Sequence, residues 1–282
     1  DSNVNSGVAA SRMAIPALGN LIFNLAPDGR ERSAAFLNLG GGVNVAHPLA
    51  PGWFLLAGGS LSQRLNDGHS QFNTRNIDGN LGVRYAFGSN AISVGFQAQT
   101  FDVDNDRNRN ALGLVAQWQR QLDVQTQISA FGQFVQLRYP GQKLRDADRS
   151  IIGFAYARVL AGAWSPSLYA SVYGGQESER RSGVSHLGHR PLGIRLGGQI
   201  RPTASTNWFA NVSYEHRRYG GDDPLFLARR NDRQWDLRLG LNYQPYRAWV
   251  VSPQISYTRN DSNVAINDYS RTMLSVSVRR DF

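Results

Sequence analysis

An alternation of apolar and polar residues, carried to the last residue, constrains this chain more than any other feature. Between Gln234 and Phe282 it appears three times. Trp235, Leu237, Leu239, Leu241 and Tyr243 share one face, and Gln234, Asp236, Arg238, Gly240 and Asn242 the other. Trp249, Val251, Ile255 and Tyr257 oppose Val250, Ser252, Gln254, Ser256 and Thr258. Leu274, Val276, Val278 and Phe282 oppose Met273, Ser275, Ser277, Arg279 and Asp281. A period of two specifies strands with one apolar and one polar face. Asp and Arg in mid-strand require the polar face to see water. Two architectures satisfy this: one sheet of a soluble sandwich, or an outer-membrane barrel with lipid outside and a wet lumen inside. Phe282, in register with the apolar face, has the form of the C-terminal assembly signal of such barrels.

Composition narrows the choice. No apolar run reaches the ~18 residues of a membrane helix, and the mean hydropathy is −0.39. Alternation hides the hydrophobicity of barrel strands, so this is compatible with a barrel. Without cysteine there is no disulfide framework and no thiolate metal site. No signal peptide opens the chain at Asp1, so a mature or trimmed chain is expected. The net charge is +9, with Lys143 the single lysine among 30 basic residues. The arginines are dispersed over strands and loops with no basic helix or nucleic-acid motif, so no nucleic-acid partner is expected. Arginine forks suit phosphates and carboxylates, as found in a wet lumen, on an acidic partner or on lipopolysaccharide. A GC-rich genome that favours Arg codons is the compositional alternative.

Thirteen clear strands are expected between Glu31 and Phe282, with connections that alternate in length. The short ones are 46–52, 88–90, the neighbourhood of Asp123, 162–165, 202–206 and 244–247. The longer ones are 66–71, 102–107, 140–148, 177–190, 218–232 and 261–268. Barrels of this class have short periplasmic turns and long external loops. Placing both termini in the periplasm requires an even strand number. A weak strand over Asp1–Ala10 would supply the fourteenth, with 11–30 as the first external loop. The expected fold is therefore an all-β, up-and-down, antiparallel transmembrane barrel forming one domain over residues 1–282. Trp53, Trp118, Trp164, Trp208 and Trp249 all lie near short turns, as an aromatic girdle at one headgroup level would. A sandwich would bury its tryptophans in mid-strand without that bias.

If the barrel closes, Arg195, Arg201, Glu215, Arg217, Asp236, Arg238, Arg271 and Arg279 line the lumen, with Asp281 on the same face. They either pair to fill a narrow interior or present a polar wall to a passing chain or solute. The stretch from Arg217 to Arg233 sets charges around an apolar core. Asp222, Asp223, Leu225, Phe226, Arg229 and Arg230 make it a candidate plug or partner loop, with simple loop packing an equal alternative. His186 and His189 are three residues apart, with Glu177 and Glu179 as the nearest further ligands. A solvated loop explains them better than a metal site. His216, Asp222 and Asp223 share one outer rim without a catalytic signature. No enzyme activity and no cofactor are expected.

Three motifs add a family resemblance: DSNVN (1–5), NDSNVAINDYSR (260–271) before a last strand ending RRDF, and YGGDD (219–223). The chain resembles the barrel domain of the Slam family, the surface lipoprotein assembly modifiers of Gram-negative bacteria. The resemblance implies a fourteen-strand barrel and a preceding periplasmic tetratricopeptide-repeat domain, which is not in this sequence. It implies movement of particular lipoproteins or soluble carriers across the outer membrane. The expected partners are outer-membrane lipids and lipopolysaccharide, the barrel assembly machinery and a client protein, with the chain a monomer. The alternatives are a passive porin and a recognition barrel acting through its loops.

Overall fold

In the computed structural model, which describes residues 1–282, thirteen antiparallel strands form one sheet in strict chain order. A hairpin precedes them, β1 (Arg12–Ile15) and β2 (Leu21–Asn24). The sheet comprises β3 (Phe36–Ala50), β4 (Trp53–Asn66), β5 (Thr74–Phe87), β6 (Asn90–Val103), β7 (Asp106–Gln121), β8 (Thr126–Arg138) and β9 (Ala147–Val159). It continues with β10 (Ser167–Glu179), β11 (His189–Thr203), β12 (Thr206–Asp222), β13 (Arg229–Tyr246), β14 (Trp249–Ser262) and β15 (Tyr269–Arg280). Helical structure is limited to five 3-10 turns.

The sheet is inside out relative to a soluble protein. Only 22 of the 282 residues are buried, while Leu81, Val94, Phe96, Ile152, Val172, Leu192, Leu237, Leu274 and Val276 are all exposed. The register explains this pattern. Ile194, Tyr214 and Trp235 lie side by side on β11, β12 and β13, and Leu196, Val212 and Leu237 form the next row inward. Such rows continue around the outer surface as an apolar band. The opposite parity carries Asn, Gln, Ser, Arg, Asp and Gly, which water can solvate. The structure is thus the expected transmembrane β-barrel, with its one tight apolar cluster (Val135, Leu137 and Tyr139) inside.

The strand count differs from the expected fourteen. Asp1–Ala10 forms no strand, and 11–30 contains the β1–β2 hairpin rather than a plain loop. No ladder joins β3 to β15, so a seam runs between the first and last strands of the sheet. The inner connections are 51–52, 88–89, 122–125, 160–166, 204–205 and 247–248. In the third of them, the Asp123 carboxylate accepts a hydrogen bond from the Gln125 N–H at 2.7 Å. That bond holds the carboxyl below its ordinary range.

Apart from the inner connection 160–166, which is as long as several outer ones, the outer connections are the longer, with one exception. The polar run 102–107 reads as a loop, yet β6 and β7 continue to a two-residue turn at Asp104 and Asn105. Both adopt left-handed φ, 52° and 65°, which the short Asp and Asn side chains tolerate and which matches the twist of a tight hairpin. The supposed 218–232 loop is also mostly strand, with only 223–228 connecting β12 to β13.

Leu239 sits near mid-height on the lipid face. Leu239→Arg is expected to lower stability by about 2–4 kcal/mol, as for arginine at a bilayer midplane, while lumen-facing Gln97→Arg should cost about 1 kcal/mol or less. Urea unfolding from lipid vesicles measures both.

Candidate functional site: the polar lumen and its outer mouth

Inward parity on β10–β15 brings several expected lining residues together. Arg195, Asp236, Arg238 and Arg271 share a cavity of about 580 Å3 with Arg64, Tyr169 and Met273. Asp236 is held by Thr258 at 2.7 Å and Gln234 at 3.0 Å. Nearer the outside, Glu215 and Arg217 pair at 2.8 Å, and Tyr173 donates to Glu215 at 2.6 Å. Fully buried Asp232 accepts from Arg230 at 2.6 Å and lies 3.8 Å from Arg217. A second interior cavity of about 570 Å3 lies towards the inner rim, lined by Gln127, Ala157, Tyr169, Gln199, Phe209 and Asn242.

Arg201 and Arg279 stand apart from these clusters at the inner ends of β11 and β15. Both are exposed, and Arg279 pairs with Asp281 at 2.9 Å. The lumen is narrowed by rings seated on glycines. Tyr173 lies over Gly193, and a Cβ there would run into the ring. Tyr169 stands in the same relation to Gly197.

The outer mouth is organised by Asp1, which sequence reading left unassigned. Its carboxylate is fully buried and accepts from Arg64 at 2.5 Å and from Arg271 Nε at 3.1 Å. The backbone around it bridges the seam. Asp1 and Ala34 exchange hydrogen bonds at 3.1 and 3.0 Å, and the Val4 N–H donates to Arg32 at 2.7 Å. On the other side the Ser2 N–H donates to Thr272 at 2.9 Å, and the Thr272 N–H donates to Ser2 Oγ at 2.8 Å. Buried Asn3 donates to Ser270 at 2.9 Å and Gly7 at 2.8 Å. Asp1–Val4 therefore fills the top of the seam, where the fourteenth strand was expected. Arg64 could have been found from parity, because Ser60, Ser62 and Arg64 alternate with Leu61 and Leu65.

Within 223–228, Asp223 accepts from the Leu225 and Phe226 N–H groups at 2.8 and 3.0 Å. Leu225 is exposed, and its carbonyl accepts from the Ala17 N–H at 3.0 Å. The segment thus packs on the β1–β2 hairpin at the outer surface. Asp222 and Arg229 are an exposed pair at 3.8 Å.

The histidines do not form a reactive set. His189 faces Glu177 across the β10–β11 pair, His186 lies in the connection before it, and no three ligands converge. His216 bonds Asn231 at 2.7 Å and lies six residues from Asp222 along β12, about 20 Å of strand.

The girdle tryptophans Trp53, Trp164, Trp208 and Trp249 are exposed at the inner rim. Trp53 stacks on Tyr85 with ring centroids 4.5 Å apart, and half-buried Trp118 donates to Asn90 at 3.2 Å. Phe282 lies two residues beyond β15, fully exposed, with Arg280 over its ring at 4.8 Å.

A sheet apolar outside, charged inside and belted by exposed aromatics defines an integral outer-membrane β-barrel. Among solved structures it is similar to outer-membrane-expressed OmpT of Vibrio cholerae, with TM-score 0.47 and 10% identity over 87% of this chain and 96% of that one. It is also similar to a bacterial polysaccharide outer-membrane secretin, with TM-score 0.45 and 10% identity over 88% and 91% of the two chains. Residues 3–282 match the surface lipoprotein assembly modifier family, and the chain belongs to it. The hemophilin secretion modulator of Acinetobacter baumannii is 23% identical over 226 residues, which is 79% of this chain and 45% of that protein. The chain thus spans about half the length of that relative.

Asp1→Asn leaves Arg64 and Arg271 facing each other without a carboxylate. Removing one partner of a buried ion pair costs about 3–5 kcal/mol. The expected result is local: faster hydrogen exchange at Ser2, Val4, Ala34 and Thr272, with the β5–β13 ladders unchanged.

Proposed function

We propose that this chain is a non-enzymatic conduit that displays a client protein at the cell surface. The observation that carries this reading is the outer mouth. It is held by one short segment, Asp1–Val4, clasped to lumen arginines by a single carboxylate. Polar contacts of this kind can be exchanged for those of another extended chain with carboxylates of its own. Below the mouth, Arg195 and Arg238 offer charge-assisted hydrogen bonds along the wall. Above it, Leu18, Leu21, Ile22 and Phe23 on the hairpin and Leu225 and Leu227 beside it form an exposed apolar surface, suited to first contact with a client.

Family membership supports assembly of surface lipoproteins as the setting, and the Acinetobacter relative is named for secretion of hemophilin. The client of this chain is accordingly a lipoprotein or a secreted carrier. The barrel assembly machinery inserts the chain, with Phe282 as its signal, and the barrel works as a monomer.

The test is protease shaving of intact cells, with candidate client lipoproteins tagged. Deleting the full-length protein should make one client protease-resistant, and wild type should restore its exposure. The Arg64→Gln/Arg271→Gln variant, folded by heat-shift on gels, should restore it several-fold less well, because the wall loses two forks. If every candidate stays exposed in the deletion strain, the reading is wrong. Steady single-channel conductance with anion preference would then favour a porin.

A further inference from the structure

A second cluster of arginines lies outside the lumen, on the lipid-facing parity at the outer ends of β11–β13. The row Ile194, Tyr214 and Trp235 is followed outward by Leu192, His216 and Arg233, and then by Arg190, Arg218 and Asn231. From Tyr243 to Trp235 is eight residues of β13. That is about 27 Å along the strand and about 20 Å of height at a ~40° tilt, close to the apolar thickness of such barrels. Trp235 thus marks the outer edge of the hydrocarbon, and the arginines stand at headgroup level just above it.

These arginines are exposed and lack the partners that similar residues have elsewhere on the rim. Arg75 and Arg107 share Asp102 at 2.6 and 2.5 Å. Arg138 reaches Asp148 at 3.3 Å, and Arg259 reaches Asp261 at 2.7 Å. Arg190, Arg218 and Arg233 form no ion pair. Most nearby acids are engaged: Asp222 with Arg229, Asp232 inward with Arg230, Asp261, opposite Arg233 in register, with Arg259, and Glu177 with Arg149 at 4.0 Å, while Glu179 forms no ion pair. Arg190 and Arg218 are also directly opposite one another, an arrangement that is unfavourable unless an anion joins it. Beside them is a depression of about 900 Å3, lined by Arg190, Leu192, His216, Arg218 and Arg229 together with Glu177 and Glu179.

We propose that Arg190, Arg218 and Arg233 bind the phosphates of the outer-leaflet glycolipid, the lipid A part of lipopolysaccharide, whose acyl chains lie on Leu192, Ile194, Tyr214 and Trp235. Guanidinium forks match phosphate oxygens bidentately. Arg190 and Arg233 are two strands apart, about 10 Å. A headgroup with two separated phosphates can engage all three arginines. The site holds the barrel's β11–β13 wall in the outer leaflet, next to the 180–188 connection whose Gly188 carbonyl accepts from the Gly220 N–H at 2.9 Å.

The test is native mass spectrometry of the full chain in detergent, titrated with diphosphoryl lipid A, fully dephosphorylated lipid A and phosphatidylglycerol. R190Q/R218Q/R233Q should bind diphosphoryl lipid A about tenfold or more weakly, having lost three charge-assisted forks. The inner-rim triple R120Q/R158Q/R247Q removes the same charge and should stay within about twofold of wild type. R190K/R218K/R233K keeps the charge and should be intermediate, which also covers a glutamine triple that fails to fold. Unchanged binding by the glutamine or lysine triple overturns the site. Equal binding of dephosphorylated lipid A overturns the phosphate assignment. Equal, variant-sensitive binding of phosphatidylglycerol overturns the glycolipid in favour of a general anionic patch.

Discussion

Everything in this barrel answers to the backbone hydrogen bond. In hydrocarbon an unpaired N–H or C=O has no water to turn to, so strands at membrane depth pair with neighbours along their length, as every adjacent pair does here except at the β3–β15 seam. The register here is continuous where that demand is greatest. Shifts fall near strand ends, at Pro48/Ala50, Phe101/Asp102, Ile200/Thr203, Arg218/Asp222 and Tyr243/Tyr246. Two ladders lapse away from these shifts, each at a proline: the β10–β11 pairing lapses between Gly174/Leu192 and Glu177/His189, at Pro191. Pro253 has no N–H to give, and the β13–β14 pairing lapses between Gly240/Gln254 and Tyr243/Val251.

The same demand gives the seam its importance. β3 and β15 are the two edges of the sheet, and Asp1–Val4 bridges them only at the outer end. The bridge is not a regular strand, so side chains supplement its backbone bonds: Asn3 to Ser270, Ser2 to Thr272, and Asp1 to Arg64 and Arg271. Burying a carboxylate is tolerable here because two guanidinium groups meet it. The mouth thus combines a seam without a regular ladder with one of the molecule's most concentrated charge contacts.

The fold was legible in the sequence to the extent that period two was clean. Trp235 to Tyr243 and Leu274 to Val278 point outward as the alternation requires, and the girdle tryptophans lie at the inner turns. Polar composition does not mark a loop in this barrel. Asp102–Arg107 and Arg217–Arg233 are rich in charge, yet both are largely strand, because side chains projecting from a barrel's outer end meet water whether or not the backbone is paired. The lumen site was half visible. Parity placed Arg195, Asp236, Arg238 and Arg271 on one wall. Parity could not reveal that Asp1 and Arg64, distant in sequence from that wall, meet Arg271; only the curvature of the sheet brings them there.

Curvature also separates two uses of arginine that composition merges. Inside the wall, a narrow radius packs Arg217, Glu215, Arg230, Asp232 and Tyr219 together, and opposite charges become each other's solvent. Outside the wall, side chains diverge and each charge needs a partner of its own. Asp102, Asp148 and Asp261 supply one for their neighbours, while Arg190, Arg218 and Arg233 have none from the protein. A single net charge of +9 therefore conceals an interior rich in ion pairs and a cluster of unpaired arginines on the outward face of β11–β13. The unpaired set lies directly above Trp235 and Tyr214, whose rings contact each other at 4.6 Å between centroids. An anionic headgroup attached to acyl chains satisfies both halves of that arrangement, which neither a free anion nor an uncharged lipid does.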